Sequence, residues 1–563
     1  MVARYGGGRQ QRCLVTWLVL LATGVTGGCR RDETFPPSHS GESPASTPNR
    51  PSPEARTSEL TPRTPLAAGS PIQAQIEQFC GNCHATPTPD TFPREMWYDE
   101  VRRGYDFYFE SGRTDLSVPI QARVVDYYRE HAPERLEWGH APVDAGPAPI
   151  QFVMAPSAIV SPFSSEPAAI SFVGWQTSGS QPLCWISDMR AGQVLFGHPL
   201  KGPEAWTRLP VPVTNPVAIR ICDLNGNSRD DLLVTDLGSF LPADHDLGKL
   251  VWIPDASALA GSETASSEAA GAGPSHRSTE ILLEKVGRVS DVEVADLDLD
   301  GDEDLVVAEF GWHSTGGVHV LWNETQPEAG TRPKFRHLRL DQRSGAIHVT
   351  CRDFDGDGRP DIAALLSQEH ETIVVWQNRA HPSDSTQIEF EPRTLHSARN
   401  PSAGSSGLVV VDLDQDGDQD VVYTNGDTFD SFLNKPTHGV KWLENRGVWP
   451  FFERRLTGLP GAHRALPADL DRDGDLDLAI SAFVPEKLRG LHGHEHLRAL
   501  LWLEQRQPGE FVRHLVSADD PVYAAMSVGD VDRDGDLDLI AGAFREDPDD
   551  RKSPVVVYLN QRP

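Results

Sequence analysis

Six acidic motifs recur along this chain from Asp223 onward, and they limit what it can fold into. In order they read DLNGNSRDDL from Asp223, DLDLDGDEDL from Asp296, DFDGDGRPDI from Asp353, DLDQDGDQDV from Asp412, DLDRDGDLDL from Asp469 and DVDRDGDLDL from Asp530. Each sets oxygen-bearing side chains at the first, third, fifth and ninth positions of a tight turn and then runs into apolar residues. A hard cation such as calcium takes about six to eight oxygen ligands, and alternate residues of a turn can converge on one. An EF-hand loop would continue into a helix and close with a glutamate. Here the exits DLVVAEF, DVVYTN and DLAISAF read as buried strands. The cation is therefore expected in a strand-to-strand turn, six times over.

Other marks repeat with the loops. A strand ending in an aromatic follows each one, at Trp252, Trp322, Trp376, Trp442, Trp502 and Tyr558. After the first five comes a looser strand: EILLEKV, KFRHLRL, EFEPRTL, FFERRLT and EFVRHLV. Each unit thus holds an inner strand, the acidic loop, a second strand, an aromatic strand and an outer strand. Four strands per unit, arrayed radially, make a β-propeller. The runs AAISFVGW and AGQVLFGHPL upstream carry no acidic loop and read as a further blade, making seven. The last unit stops after its third strand, and PIQFVMA near Ile150 can supply the fourth. That would close the ring and remove both sheet edges. The stretch from Asp255 to Thr279, heavy in Ala, Ser and Gly, reads as an insertion between strands.

These loops and strands resemble the FG-GAP or VCBS-type repeats of calcium-loop propellers, from Asp223 to the end of the chain. The resemblance implies side-chain ligands at Asp223, Asn225, Asn227 and Asp231; Asp296, Asp298, Asp300 and Asp304; Asp353, Asp355, Asp357 and Asp361; Asp412, Asp414, Asp416 and Asp420; Asp469, Asp471, Asp473 and Asp477; and Asp530, Asp532, Asp534 and Asp538. That is about five or six Ca2+. The first loop departs from the pattern, with two Asn for Asp and Ser228 where a Gly should turn the chain. The third has Gly356 and Pro360.

The N-terminal part is organised differently. Arg4, Arg9 and Arg12 precede an apolar run from Leu14 to Val25, too short to span a bilayer. Residues 1–29 thus read as an export signal. Its end at Thr26–Cys29 resembles a lipoprotein signal with Cys29 acylated; plain secretion is the alternative. Residues 30–70, rich in Pro, Ser and Thr, read as a disordered linker. Residues 71–145 read as a small helical unit, with helices over Pro71–Cys83, Pro93–Phe109 and Val118–His131. Residues 146–563 are the propeller.

The helical unit carries Cys80-Gly81-Asn82-Cys83-His84. Two thiols at this spacing can form thioethers with a haem's vinyl groups while the adjacent histidine ligates iron. No second CxxC is present to complete a four-thiolate zinc site. The unit resembles a small c-type cytochrome domain, which implies one covalent haem c, His84 as proximal ligand and a methionine opposite. The stretch SGRTDLSVP before the last helix has no methionine, so Met96 is the candidate, with Met154 and His131 as rivals.

Of the remaining cysteines, Cys184, Cys222 and Cys351 read as buried apolar residues, a Cys184–Cys222 bridge being the alternative. The formal net charge of −31 follows largely from the loop aspartates and argues against nucleic-acid binding. Long polar connections between second and third strands place His245, His313, His370, His438, His492, His494 and His496 on the propeller face opposite the acidic loops, with His348 and His463 toward the same rim. They are either a convergent site for a metal or proton relay or solvated loop residues. The stretch Gly426–His438, with Asp427, Asp430, Asn434 and Lys435, is the pocket candidate. The expected molecule is an exported haem electron-transfer protein whose calcium-stabilised propeller docks a redox partner, small molecule or glycan, the only membrane contact being the lipid. The alternatives are an oxidoreductase with its active site on the histidine face and a surface adhesion module.

Overall fold

The computed structural model describes residues 71–562 apart from 139–143, 145–147, 156–165, 178–181, 257–278, 326–331, 382–383, 430, 491–492, 548–549 and 551. The export signal, Cys29, the linker and almost all of the Ala/Ser/Gly-rich insertion lie outside these residues.

Three helices open the described chain: α1 (Pro71–Phe79), α2 (Trp97–Glu110) and α3 (Gln121–His131). Ile72, Ile76 and Phe79 fall on one face of α1, Trp97, Val101, Tyr105 and Tyr108 on one face of α2, and Val124, Val125 and Tyr128 on α3. These stripes meet in a single core. Trp97 stacks on Tyr128 with ring centroids 3.9 Å apart, and the Phe79 ring sits 5.1 Å from Tyr105 and 5.0 Å from Tyr108. Each helix is shorter than its pattern suggested. α1 stops at Phe79 and the chain tightens into a 3-10 turn over Cys80–Asn82. Pro93, expected to begin α2, and Pro119, expected in the first turn of α3, both stand ahead of their helices.

The rest is seven four-stranded antiparallel sheets. The inner strands are Ile170–Gln176, Pro216–Cys222, Val289–Ala295, Ala346–Arg352, Ser405–Val411, Ala462–Ala468 and Tyr523–Gly529, and each opens a blade numbered one to seven. Second strands are buried end to end, as in Asp304–Glu309 and Asp477–Ala482, because neighbouring blades cover both faces. Ring closure follows the expectation: Gln151–Met154 pairs with Val555–Gln561 as the fourth strand of blade seven, with Gln151 opposite Gln561 and Met154 opposite Tyr558. Blade one, Ile170 to Leu209, is the one with no acidic loop. Among the described residues no helix is long and apolar enough to cross a membrane. Cys80, Cys83, Cys184, Cys222 and Cys351 are all free, so the Cys184–Cys222 bridge is not formed.

Candidate metal loops and the face beneath the helices

Each acidic loop is wound by its own side chains. In blade three the first-position carboxylate of Asp296 accepts the amides of Asp300 at 3.1 Å and Gly301 at 3.0 Å, and Asp300 accepts the amide of Asp302 at 2.9 Å. This winding needs left-handed backbone at the fourth and sixth positions, with φ of 61° at Leu299 and 97° at Gly301. In blade two the sixth position is Ser228, at φ 62°.

The ninth-position aspartates, from Asp231 to Asp538, are fully buried or nearly so. One carboxylate oxygen takes the amide of the loop's second residue, as in Leu297 to Asp304 at 3.1 Å and Leu413 to Asp420 at 3.1 Å. The other takes an amide at the end of the third strand, as in Asn323 to Asp304 at 2.7 Å and Asn445 to Asp420 at 2.7 Å. The residue is therefore a clamp between loop and aromatic strand, a role the spacing alone did not show.

The side chains converge as a cation site requires. Carboxylate oxygens of Asp296, Asp298 and Asp300 lie within 4.8 Å of one another, as do those of Asp353, Asp355 and Asp357, of Asp412, Asp414 and Asp420, of Asp469, Asp471 and Asp477, and of Asp530, Asp532 and Asp538. One oxygen each of Asp298, Asp414, Asp469 and Asp530 is buried with no hydrogen-bond partner. Burial, then the neighbouring loop carboxylates, raises the Asp298, Asp414 and Asp471 carboxyls. Buried, mutually repelling oxygens with unused lone pairs suit a divalent cation. Asp416, Asp473 and Asp534 fall outside these groups, as do the ninth-position Asp304 and Asp361 of blades three and four.

Two loops differ. In blade four Arg379 reaches into the loop, 2.6 Å from Asp355 and 3.2 Å from Asp357, and supplies positive charge of its own. In blade two the Asn227 backbone amide still donates to Asp223 at 2.9 Å, but its side-chain nitrogen donates to Asp255 at 2.8 Å, and among the described residues Asp231 joins no three-carboxylate group.

On the helical unit, Cys83 is exposed and Cys80 half-buried. Burial, then the Cys83 thiol, pushes Cys80 up to about 11. Arg113 donates to the Cys83 sulfur at 3.1 Å and to the Asn82 side chain at 2.7 Å. His84 Nδ1 lies 2.8 Å from the Ala85 carbonyl. Met96 is partly buried against the helical core, His131 bonds the Tyr127 carbonyl at 2.8 Å, and Met154 sits on the closing strand.

The histidine-rich connections do not form an open ring. They are the seat of the helical unit. Phe107 of α2 packs on His313 with centroids 5.3 Å apart, Trp138 packs on His496 at 4.6 Å, and Lys435 lies 5.6 Å from the Phe92 ring centre. Leu433 joins the helical core itself, and Asp144 pairs with Arg513 of blade six at 2.8 Å. Burial lowers the His370 imidazole, Glu369 opposes that, and His84 is near enough to add to the lowering. His245 is bound within its own loop, 2.7 Å from Ser239. His438 is buried, with both ring nitrogens lacking a hydrogen-bond partner, and burial holds it well below the usual histidine range. His494 is exposed beside Glu495; Asp427 accepts the Phe429 amide at 2.9 Å. Asp430 and His492 lie outside the described residues. Among the described residues no histidine belongs to a three-ligand metal group. The Gly426–His438 stretch, expected as a pocket, packs between helices and propeller. A cavity of about 460 Å3 lies instead on the ring axis.

The FG-GAP-like repeat model matches residues 296–364 and 353–423, so the blades from three into five carry FG-GAP-like repeats. No curated protein matches. A luciferin-regenerating enzyme aligns over 73% of this chain and 95% of its own, at 11% identity and TM-score 0.34. The Vibrio cholerae biofilm matrix protein Bap1 aligns over 73% of this chain and 91% of its own, at 9% identity and TM-score 0.36. Neither likeness carries a functional argument.

Proposed function

We propose that this chain is an exported electron carrier: a helical unit holding one covalent haem c, seated on a propeller whose acidic loops bind calcium. The observation that carries the reading is the pair of free thiols at Cys80 and Cys83 with His84 beside them, at the edge of a three-helix core. That donor set suits thioether attachment of a porphyrin and axial ligation of its iron, with Met96 as the second ligand proposed. Haem held there supplies a one-electron couple. Cys80 and Cys83 fix the macrocycle to the end of α1, and Arg113, donating to Cys83 and Asn82, holds the turn between them. The loop aspartates hold about five or six Ca2+, which tie inner to second strands.

The propeller's role in this reading is a docking platform for a redox partner or substrate, and Cys29 is the lipid anchor. An oxidoreductase passing electrons through the helical unit is a second reading, favoured by the axial cavity. The adhesion module has no observation of its own in its favour. The test is an absorption spectrum of protein exported in cells that mature c-type cytochromes. A haem spectrum that survives denaturation and is lost in Cys80→Ala/Cys83→Ala supports the reading, and a weak far-red band supports Met96. Colourless protein overturns it.

A further inference from the structure

The axial cavity is walled by the seven inner strands and contains more positive charge than negative. Its lining includes Arg220, Arg288, Arg352 and Arg464 against Asp291 and Glu293, four guanidinium groups to two carboxylates. Both carboxylates are already engaged. Asp291 pairs with Arg220 at 2.7 Å and with His348 at 3.1 Å. Glu293 lies 3.5 Å from Arg220 and 3.5 Å from Arg352. Arg464 has no carboxylate in ion-pair reach among the described residues; its hydrogen bond, at 2.7 Å, goes to His348 Nε2. That nitrogen offers a lone pair only if the ring is neutral. Burial, reinforced by Arg464, lowers His348, and burial pushes the adjacent His463 down to about 3. The histidines therefore add no charge at neutral pH.

Arg288 is the second surplus cation. It is 1% exposed, its Nε donates to the Gly311 carbonyl at 2.8 Å, and its Nη2 has no hydrogen-bond partner. The guanidinium lies 4.6 Å from the Phe310 ring centre and 5.5 Å from that of Trp312. Of the carboxylates, Arg464 feels only Asp291, which is already paired with Arg220, and Arg288 only the more distant Asp244. Two cations with no carboxylate of their own in contact are costly in a buried channel. They are conspicuous in a chain whose net charge is −31. The remaining lining is largely apolar: Val217, Leu237, Phe429, Phe483 and Phe544 sit around the charged groups.

We propose that the axial channel is a binding site for a small organic carboxylate, its charge met by Arg464 and Arg288 and its hydrocarbon body by the phenylalanines. A planar guanidinium offers a forked pair of donors that matches a carboxylate, and the phenylalanines favour an acid with an aromatic or aliphatic body over a bare inorganic anion. The loop that supplies Phe429 to the channel also supplies Leu433 to the helical core, so the occupied channel adjoins the seat of the helical unit. The proposal does not depend on haem.

The test is calorimetric titration of the full exported protein with benzoate and hexanoate, against benzyl alcohol and inorganic phosphate. Both carboxylates bind, benzyl alcohol and phosphate bind at least tenfold more weakly, and Arg464→Gln weakens benzoate at least tenfold. Arg464→Lys, which keeps the charge but loses the fork, falls between. Arg208→Gln, exposed on the outer strand of blade one, leaves binding unchanged. Calcium content and circular dichroism establish that each variant is folded; if Arg464→Gln is not, Arg464→Lys and the wild-type ligand series decide. Absence of binding by either carboxylate, equal binding of phosphate, or benzoate affinity unchanged in a folded Arg464 variant would overturn the proposal.

Discussion

Besides its two Asn for Asp, the acidic loop of blade two differs from the others in carrying a side chain at the left-handed sixth position. Blades three to seven place Gly301, Gly358, Gly417, Gly474 and Gly535 at the sixth loop position, all at positive φ, where blade two has Ser228 at 62°. A Cβ in the left-handed region costs about 1 kcal/mol or more. Ser228→Gly is expected to stabilise the protein by about 1 kcal/mol, seen as a raised denaturant midpoint at unchanged slope. An unchanged midpoint would mean that the Ser228 side chain recovers the cost through a contact of its own. The departure was visible in the sequence because the other five loops set the standard. The clamp role of the ninth position was not, since its partners are backbone amides on a strand more than 15 residues away, such as Asn323 for Asp304 and Asn445 for Asp420.

Strand order, loop position and ring closure were legible because they follow from hydrophobic period and repeat spacing. The joints between blades were not. All seven inner strands carry a register shift near their start, for example between Val289 and Asp291 and between Ser405 and Gly407. A bulge leaves no mark in an apolar/polar pattern. In three blades a serine at the bulge crosses to the next blade: Ser171 to Pro216 at 2.9 Å, Ser290 to Ala346 at 2.7 Å and Ser406 to Ala462 at 2.7 Å. At the acidic-loop end a side-chain amide near the end of the third strand does the same. Gln505 donates to Leu413 of the preceding blade and to Leu476 of its own, both at 3.0 Å, and Asn560 donates to Leu470 and Leu537 at 2.8 and 3.2 Å. Gln505→Leu keeps the volume and deprives the buried Leu413 carbonyl, the part-buried Leu476 carbonyl and the Gly509 amide of their partner. It should cost about 2 kcal/mol, read as a lower urea midpoint with native calcium content. A loss below about 0.5 kcal/mol would mean that water replaces the amide. The channel charges were equally hidden. Arg220, Asp291, Glu293 and Arg464 stand in strands that otherwise read as apolar, and charged residues within AIRIC, SDVEVA and HRALPA were the available sign.

The whole molecule is a ring in which fold stability rests on buried carboxylates of the acidic loops, so protons compete there with the calcium proposed for them. In the metal-free fold burial pushes Asp304, Asp420 and Asp477 up to about 7, and Asp361 and Asp538 up to about 6, from an ordinary 3.8. Between those values and 3.8 the native state binds protons that the unfolded chain does not. Stability of the chelated protein from these groups therefore rises as pH falls through about 7, and the gain is complete near the unfolded value. Calcium acts in the opposite sense. Bound to deprotonated loops as proposed, it would stabilise fully above about pH 7 and lose that effect as protons displace it. The difference in melting temperature between calcium-loaded and chelated protein should accordingly shrink between about pH 8 and about pH 5.5. Taking the difference at each pH cancels the buried histidines, which titrate in both forms and pull the other way. His463 and His396, lowered by burial to about 3 and about 4, make each form less stable as pH falls below 6.5. A calcium increment that stays constant across this range would place the cation clear of the ninth-position carboxylates, leaving those residues as backbone clamps alone.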